Sequence, residues 1–178
     1  IVVRFRNQLD QPTAVHWHGL ELESWSAGMA GWSGIGKHVA PAVAPADSFK
    51  AHLLSPRAGT FMYHTHLNDA EQLTSGLYGA IVVVEPGTRY DPTVDHVYVL
   101  GWDGDAEPVP ILLNGESQPT PVEFRAGTEH RMRFVNIGAA APARFSLGMD
   151  TTLVSWRAVA FDGADLPASQ ATRRPATV

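Results

Sequence analysis

The chain has 178 residues, with 13 Lys and Arg against 18 Asp and Glu and a formal net charge of −5. That balance, without a basic stripe, argues against a binder of nucleic acid or of anionic membranes, and no apolar run approaches the roughly 18 residues of a membrane span. The absence of cysteine excludes disulfides, thiolate zinc sites, a cysteine nucleophile and a complete blue-copper site within these residues, because that copper needs a thiolate.

The 16 Gly and 13 Pro favour many short strands over helices. Ile1 to Arg6 sets Val3 and Phe5 against Arg4 and Arg6, the alternation of a half-buried strand. A turn at 7–12 leads to a strand over Thr13 to Leu22 that carries His16 and His18. Ser24 to Gly36 is rich in Gly, Ser and Trp and is expected to be a loop. Ser48 to Leu54 alternates Phe49, Ala51 and Leu53 with Lys50 and His52. After a turn at 55–59, Thr60 to His66 is the strand of a second pair, His64 and His66. Asn68 to Ser75 predicts a single helical turn, and Gly76 to Glu85 ends in the apolar run of a buried strand.

Pro86-Gly87 punctuates the chain, and 90–95 is expected to be a linker. Strands are expected over His96–Trp102, Ile111–Leu113, Val122–Arg125, Glu129–Ile137, Ala143–Leu147 and Ser155–Phe161, with a turn at Asp162-Gly163. This spacing predicts an all-β, Greek-key β-sandwich architecture. Two tandem units are expected, at 1–88 and 89–178, the second one or two strands short. Ile1 opens in mid-pattern and Val178 follows no closing strand, so both ends are expected to be internal to a longer protein.

The two histidine pairs carry the chemistry. Side chains at i and i+2 of a strand share a face, roughly 7 Å apart. That span suits two adjacent ions better than one. If the two strands lie side by side, His16, His18, His64 and His66 converge. Four imidazoles without partners form a poor structural cluster, since they repel when protonated and lack hydrogen bonds when neutral. They form a good metal site, and imidazole suits copper, zinc, iron or nickel. A zinc hydrolase is disfavoured, because no adjacent carboxylate is placed as a general base. His38, His52 and His130 are expected on solvated faces, and His96 at the start of a strand after the linker. Met29 and Met62 are soft donors in principle, but apolar packing is the favoured reading of both. Trp17 alternates into the core. Trp25 and Trp32 either line an entrance or cap the sandwich edge.

His16-Trp17-His18-Gly19, Gly59-Thr60-Phe61-Met62-Tyr63-His64-Thr65-His66 and Gly76-Leu77-Tyr78-Gly79-Ala80 resemble the first cupredoxin domain of the multicopper oxidases, the laccase-like enzymes. Pro45-Ala46-Asp47-Ser48-Phe49 resembles the strand entry before the second motif. Leu113-Asn114-Gly115, the run from His130 to Asn136, and Asp162 to Pro167 are similar to the family's second domain. The resemblance implies two cupredoxin-like domains, the second incomplete. It implies a parent enzyme that oxidises a reducing substrate (a phenol, an aromatic amine or a metal ion) and reduces O2 to water at a trinuclear type 2/type 3 copper cluster. On that resemblance His16 would bind the lone cluster copper, His18 and His64 one copper of the coupled pair, and His66 the other.

Only half of the family's cluster ligands occur here, and the blue-copper cysteine does not. The resemblance therefore implies a partner surface, either a C-terminal cupredoxin domain or a neighbouring subunit, and a periplasmic or extracellular site. Copper nitrite reductases share the fold but would carry the missing cysteine in this domain. Two acids that the family places near the cluster are replaced by Ala27 and Ser75, with Asp69 or Glu71 as possible substitutes. The alternative expectation is a non-catalytic cupredoxin module that binds copper or zinc.

Overall fold

The computed structural model describes residues 1–55, 57–104, 110–138, 142–149, 152–171 and 173–174. The N-terminal half is two facing sheets. One pairs β1 (Val2–Arg6) with β5 (Ser48–His52), antiparallel, with Phe5 opposite Phe49. The other has the order β2 (Val15–His18), β6 (Gly59–Thr65), β7 (Tyr78–Val83), all antiparallel. Between β2 and β5 lie a 3-10 turn, Ser24–Ala27, and a small hairpin, β3 (Gly34–Ile35) and β4 (His38–Val39). Between β6 and β7 lies helix α1 (Asp69–Thr74).

The core fills the space between the sheets. Val15 and Trp17 of β2 meet Phe49 and Ala51 of β5, with Ala40, Val43 and Leu53 around them and Val3, Phe5, Tyr63 and Ile81 packed against them. The alternation that buries Val15 and Trp17 sends His16 and His18 to the opposite face. Apolar burial thus fixes which way the histidines point, since a one-residue slip would exchange the two sets.

The C-terminal half is built on β8 (Asp95–Trp102), flanked by β9 (Ile111–Leu113) and by β10 (Arg131–Asn136). β9 runs antiparallel to β8, and β10 parallel to it. Short two-residue ribbons follow: β11 (Gly148–Met149) with β12 (Thr152–Leu153), β13 (Trp156–Arg157) with β16 (Arg173–Arg174), and β14 (Ala160–Phe161) with β15 (Ala164–Asp165). Asp162 (φ 47) and Gly163 (φ 69) form the expected turn between β14 and β15, with the two positive φ values that a tight two-residue hairpin needs.

Several elements differ from the sequence reading. The first histidine strand stops at His18, because Gly19 turns with φ 80. Residues 24–36 are structured by a 3-10 turn and a hairpin. No strand forms over 122–125, where Pro119 and Pro121 remove ladder donors and Val122 and Phe124 stay exposed. The strand expected at 143–147 forms instead at 148–149, and that expected over 155–161 is broken into β13 and β14. The expected termination at Val178 lies outside the described residues.

Contacts near the histidine sheet join the halves. Arg133 of β10 donates to both carboxylate oxygens of Asp95, at 2.6 Å each, and its third nitrogen donates to Thr60 Oγ1 of β6 at 2.7 Å. The Arg133 and Asp95 side chains are only 8% and 16% exposed. Gly101 of β8 lies under the Tyr78 phenol, where a Cβ would collide with the ring. Removing one partner of a buried ion pair strands the other charge. Arg133→Met is therefore expected to lower stability by about 3–5 kcal/mol, read from urea unfolding, and adding Asp95→Asn should recover most of the loss. An unchanged unfolding midpoint in Arg133→Met would show that the tie carries nothing.

Candidate metal centre

β2 and β6 pair so that His16 is directly opposite His64 and His18 opposite Met62. Opposed residues share a face of a sheet, so both histidine pairs converge. His66 lies one residue past β6, and its N–H donates to Ala14 O at 2.9 Å, which keeps it beside β2. Ring centroids of His16 lie 5.6 Å from His18, 5.4 Å from His64 and 5.6 Å from His66. His64 is 5.5 Å from His18 and 6.0 Å from His66. His16, His18 and His64 each offer a ring nitrogen within 4.8 Å of the others. Three of the four rings are half-buried, and His18 is exposed at the rim.

The backbone orients the rings. His16 Nδ1 lies 2.9 Å from Ala27 O, and His64 Nδ1 lies 2.6 Å from Thr65 O. A carbonyl only accepts, so both Nδ1 atoms carry the proton and both Nε2 atoms keep a lone pair. Donation of the second ring nitrogen to a carbonyl is the usual arrangement around a metal-bound imidazole. His64 Nε2 points to His18 Nδ1 at 3.4 Å. Ala27 reaches His16 because Gly28 (φ 78) lets the chain pass close to β2, where any Cβ would strike Val15 O.

A buried polar network sets the second pair. Thr65, between His64 and His66, is fully buried, and its hydroxyl and that of Thr13 both donate to Gln72 Oε1 at 2.7 Å. Gln72 Nε2 donates to Pro12 O at 3.0 Å, so α1 is fastened to the strands that carry the histidines. Glu71 accepts from Gln11 and Asn68. Asp69 is close enough to His64, and Asp162 to His18, for each carboxylate to favour the charged imidazole.

Burial is the stronger influence. It pushes His16, His18 and His64 below the ordinary 6.5, opposed at His16 and His64 by the backbone hydrogen bonds and reinforced at all three by neighbouring imidazoles. Neutral rings, the form that binds metal, are therefore favoured near neutral pH.

Of the remaining histidines, His38 and His52 are exposed, as expected, whereas His130 is half-buried. His38 stacks on Trp25 at 4.2 Å, and Trp25 also lies against Phe49, so Trp25 caps the sandwich edge. Trp32 is 82% exposed. His96 and His130 are half-buried and hydrogen-bonded to each other. The carbonyls of Ala27 and Thr65 and the Gln72 network carry no motif that a sequence displays, and Asp162 reaches His18 only through folding.

A cupredoxin-type sandwich with converging His-X-His pairs defines a class of copper proteins. The family model described as "Multicopper oxidase" matches residues 1–88. The chain is 33% identical over 163 residues to "Iron transport multicopper oxidase fetC" of Epichloe festucae, a match covering 79% of this chain and 25% of that protein. It is 32% identical over 131 residues to "Copper resistance protein A" of Pseudomonas syringae pv. tomato, covering 72% and 20%. The structure of a blue copper oxidase from Nitrosomonas europaea superposes with a TM-score of 0.73 at 24% identity, covering 99% of this chain and 58% of that one. The chain belongs to the multicopper oxidase family. It spans a quarter or less of the length of these two curated relatives. The family binds copper, including a trinuclear cluster, and four converging imidazoles, with Nε2 left free to coordinate on His16 and His64, fit that metal.

The lowered histidine pKa values fix the sign of a pH effect on the metal-free chain. The unfolded chain, with ordinary histidines at 6.5, takes up protons first as pH falls, so the folded state loses stability on acidification. Melting temperature is expected to fall as pH drops through the low sixes and below. In a His16→Gln, His18→Gln, His64→Gln variant that part of the slope should disappear. An identical slope in parent and variant would place the acid sensitivity elsewhere.

Proposed function

We propose that this chain forms one half of the oxygen-reducing copper centre of a laccase-like multicopper oxidase. His16, His18, His64 and His66 are the ligands it contributes. The observation that carries the proposal is the β2–β6 register, which sets His16 opposite His64 and so stacks both pairs on one face. His16 and His64 present Nε2, because Nδ1 of each is held by a carbonyl. The 3.4 Å approach of His64 to His18 supports a shared ion for those two, with His16 and His66 on the other two ions. Bound copper supplies one-electron exchange at a centre where O2 can bind.

The protein's own residues do the rest. The core behind β2 and β6 keeps the face rigid, and partial burial favours the neutral form of His16, His18 and His64. Asp69, beside His64, is the carboxylate placed to hold a proton for O2 reduction, whereas Glu71 is occupied by Gln11 and Asn68. The remaining cluster ligands and the blue copper come from a further cupredoxin domain or a neighbouring subunit, the latter giving an oligomer. The units divide near residue 88, the setting is periplasmic or extracellular, and the reductant is a phenol, an aromatic amine or a metal ion. Among the described residues no helix is long and apolar enough to cross a membrane.

A non-catalytic module that binds copper or zinc is the second reading. Ala27 and Ser75 favour it, since both expected acids are missing.

His64→Ala with His66→Ala is expected to abolish copper uptake by this face while leaving the circular dichroism spectrum unchanged, since neither side chain belongs to the core. Copper retention equal to the parent's would refute the ligand assignment. Oxygen consumption with a phenolic donor tests the half-centre directly. The copper-loaded chain alone should consume no O2 above free copper, and robust turnover would overturn the need for a partner.

A further inference from the structure

The C-terminal half carries a histidine pair that the first centre does not use. His96 Nε2 and His130 Nδ1 lie 3.0 Å apart, with ring centroids at 5.2 Å. Phe124 meets both rings edge-on at 5.0 Å. Both histidines are half-buried, and His130 Nε2 is buried without a hydrogen-bond partner. The pair is therefore screened from water on one side and incompletely satisfied.

A third donor shares the face. In the parallel pairing of β8 and β10, Met132 is opposite His96 and Phe134 opposite Tyr98. The stacking of Tyr98 on Phe134, at 5.6 Å, shows that opposed residues here lie on one side of the sheet. Alternation along the chain then places His130, Met132 and Phe134 together. The adjacent acids are engaged elsewhere, Asp95 with Arg133 and Glu129 with Arg157. What remains is two imidazoles and a thioether beneath an aromatic ring.

We propose that His96, His130 and Met132 form a second metal site, one that takes a soft monovalent ion of the copper(I) class. The donor set is uncharged and partly sulfur, which selects copper(I) over harder divalent ions. A half-buried site without a carboxylate also penalises a divalent charge more than a single one. The bite is close to what is needed. Metal–nitrogen bonds of about 2.0 Å at a trigonal angle set the nitrogens about 3.5 Å apart, so the rings must part by about half an ångström. The ion takes the place of the shared proton. That proton returns to the far nitrogen of its own ring, so binding requires no net proton release from two neutral imidazoles. The site is independent of the four-histidine face and stands whether or not that face holds copper.

The test is competition for copper(I) against bicinchoninate under anaerobic reducing conditions. It uses a background in which His16, His18, His64 and His66 are all Gln. One copper(I) per chain should be retained. Adding His96→Gln and His130→Gln should remove it, and Met132→Leu should weaken it about tenfold while Met62→Leu leaves it unchanged. No retained copper in the background, or equal retention after the His96 and His130 substitutions, overturns the proposal. The unmodified protein gives a check that needs no substitution. Silver(I) should shift the ring-nitrogen resonances of His96 and His130 in long-range 1H–15N spectra, and unmoved resonances at a saturating excess would contradict the site.

Discussion

The register of β2 against β6 is the constraint on which the rest depends. Trp17 opposite Tyr63 fills the core, and His16 opposite His64 follows on the other face by the pleat. The two outcomes cannot be separated, because side chains alternate with period two. The free energy that holds the four imidazoles on one face is thus drawn chiefly from the apolar burial behind them. The rings repel as they gain charge, and burial disfavours that charge further. A metal cation held by the unprotonated rings would link metal binding to folding of the same sheet.

Around that register the chain adds fasteners of different kinds. Gly28 brings the Ala27 carbonyl under His16, and Gln72 locks Thr13 and Thr65 behind the second pair. Arg133 ties the second half to Thr60 on the histidine strand itself. The β14–β15 turn lies against the same strand, where a Cβ on Gly163 would meet Phe61 and Asp162 comes near His18. The C-terminal half is therefore part of the setting of the site as well as an appendage to it.

Much of this was legible in the residues. Alternation in 1–6 and 48–54 gave the inner faces correctly, and the two His-X-His pairs pointed to one face once their strands were paired. The β2–β6 register itself is a long-range fact. It is set by which core residues meet, and no local signal states it. The failures have local causes. Val122 to Arg125 has strand-like composition, but Pro119 and Pro121 deny it a ladder. His96 and His130 lie 34 positions apart and read singly, one as the start of a strand and the other as solvated, yet parallel pairing brings them to 3.0 Å. Carbonyl partners such as Ala27 O leave no trace in side-chain identity, so an alanine in place of an expected acid hid an orienting role.

Metal position is the most direct measure of the account. A crystal structure of the copper-loaded chain, with anomalous scattering recorded at the copper edge, would locate each ion against the rings. The account predicts copper about 2.0–2.2 Å from Nε2 of His16 and of His64, with Nδ1 of each still donating to Ala27 and Thr65. Copper bound through those Nδ1 atoms, or no anomalous peak on the β2–β6 face, would contradict it.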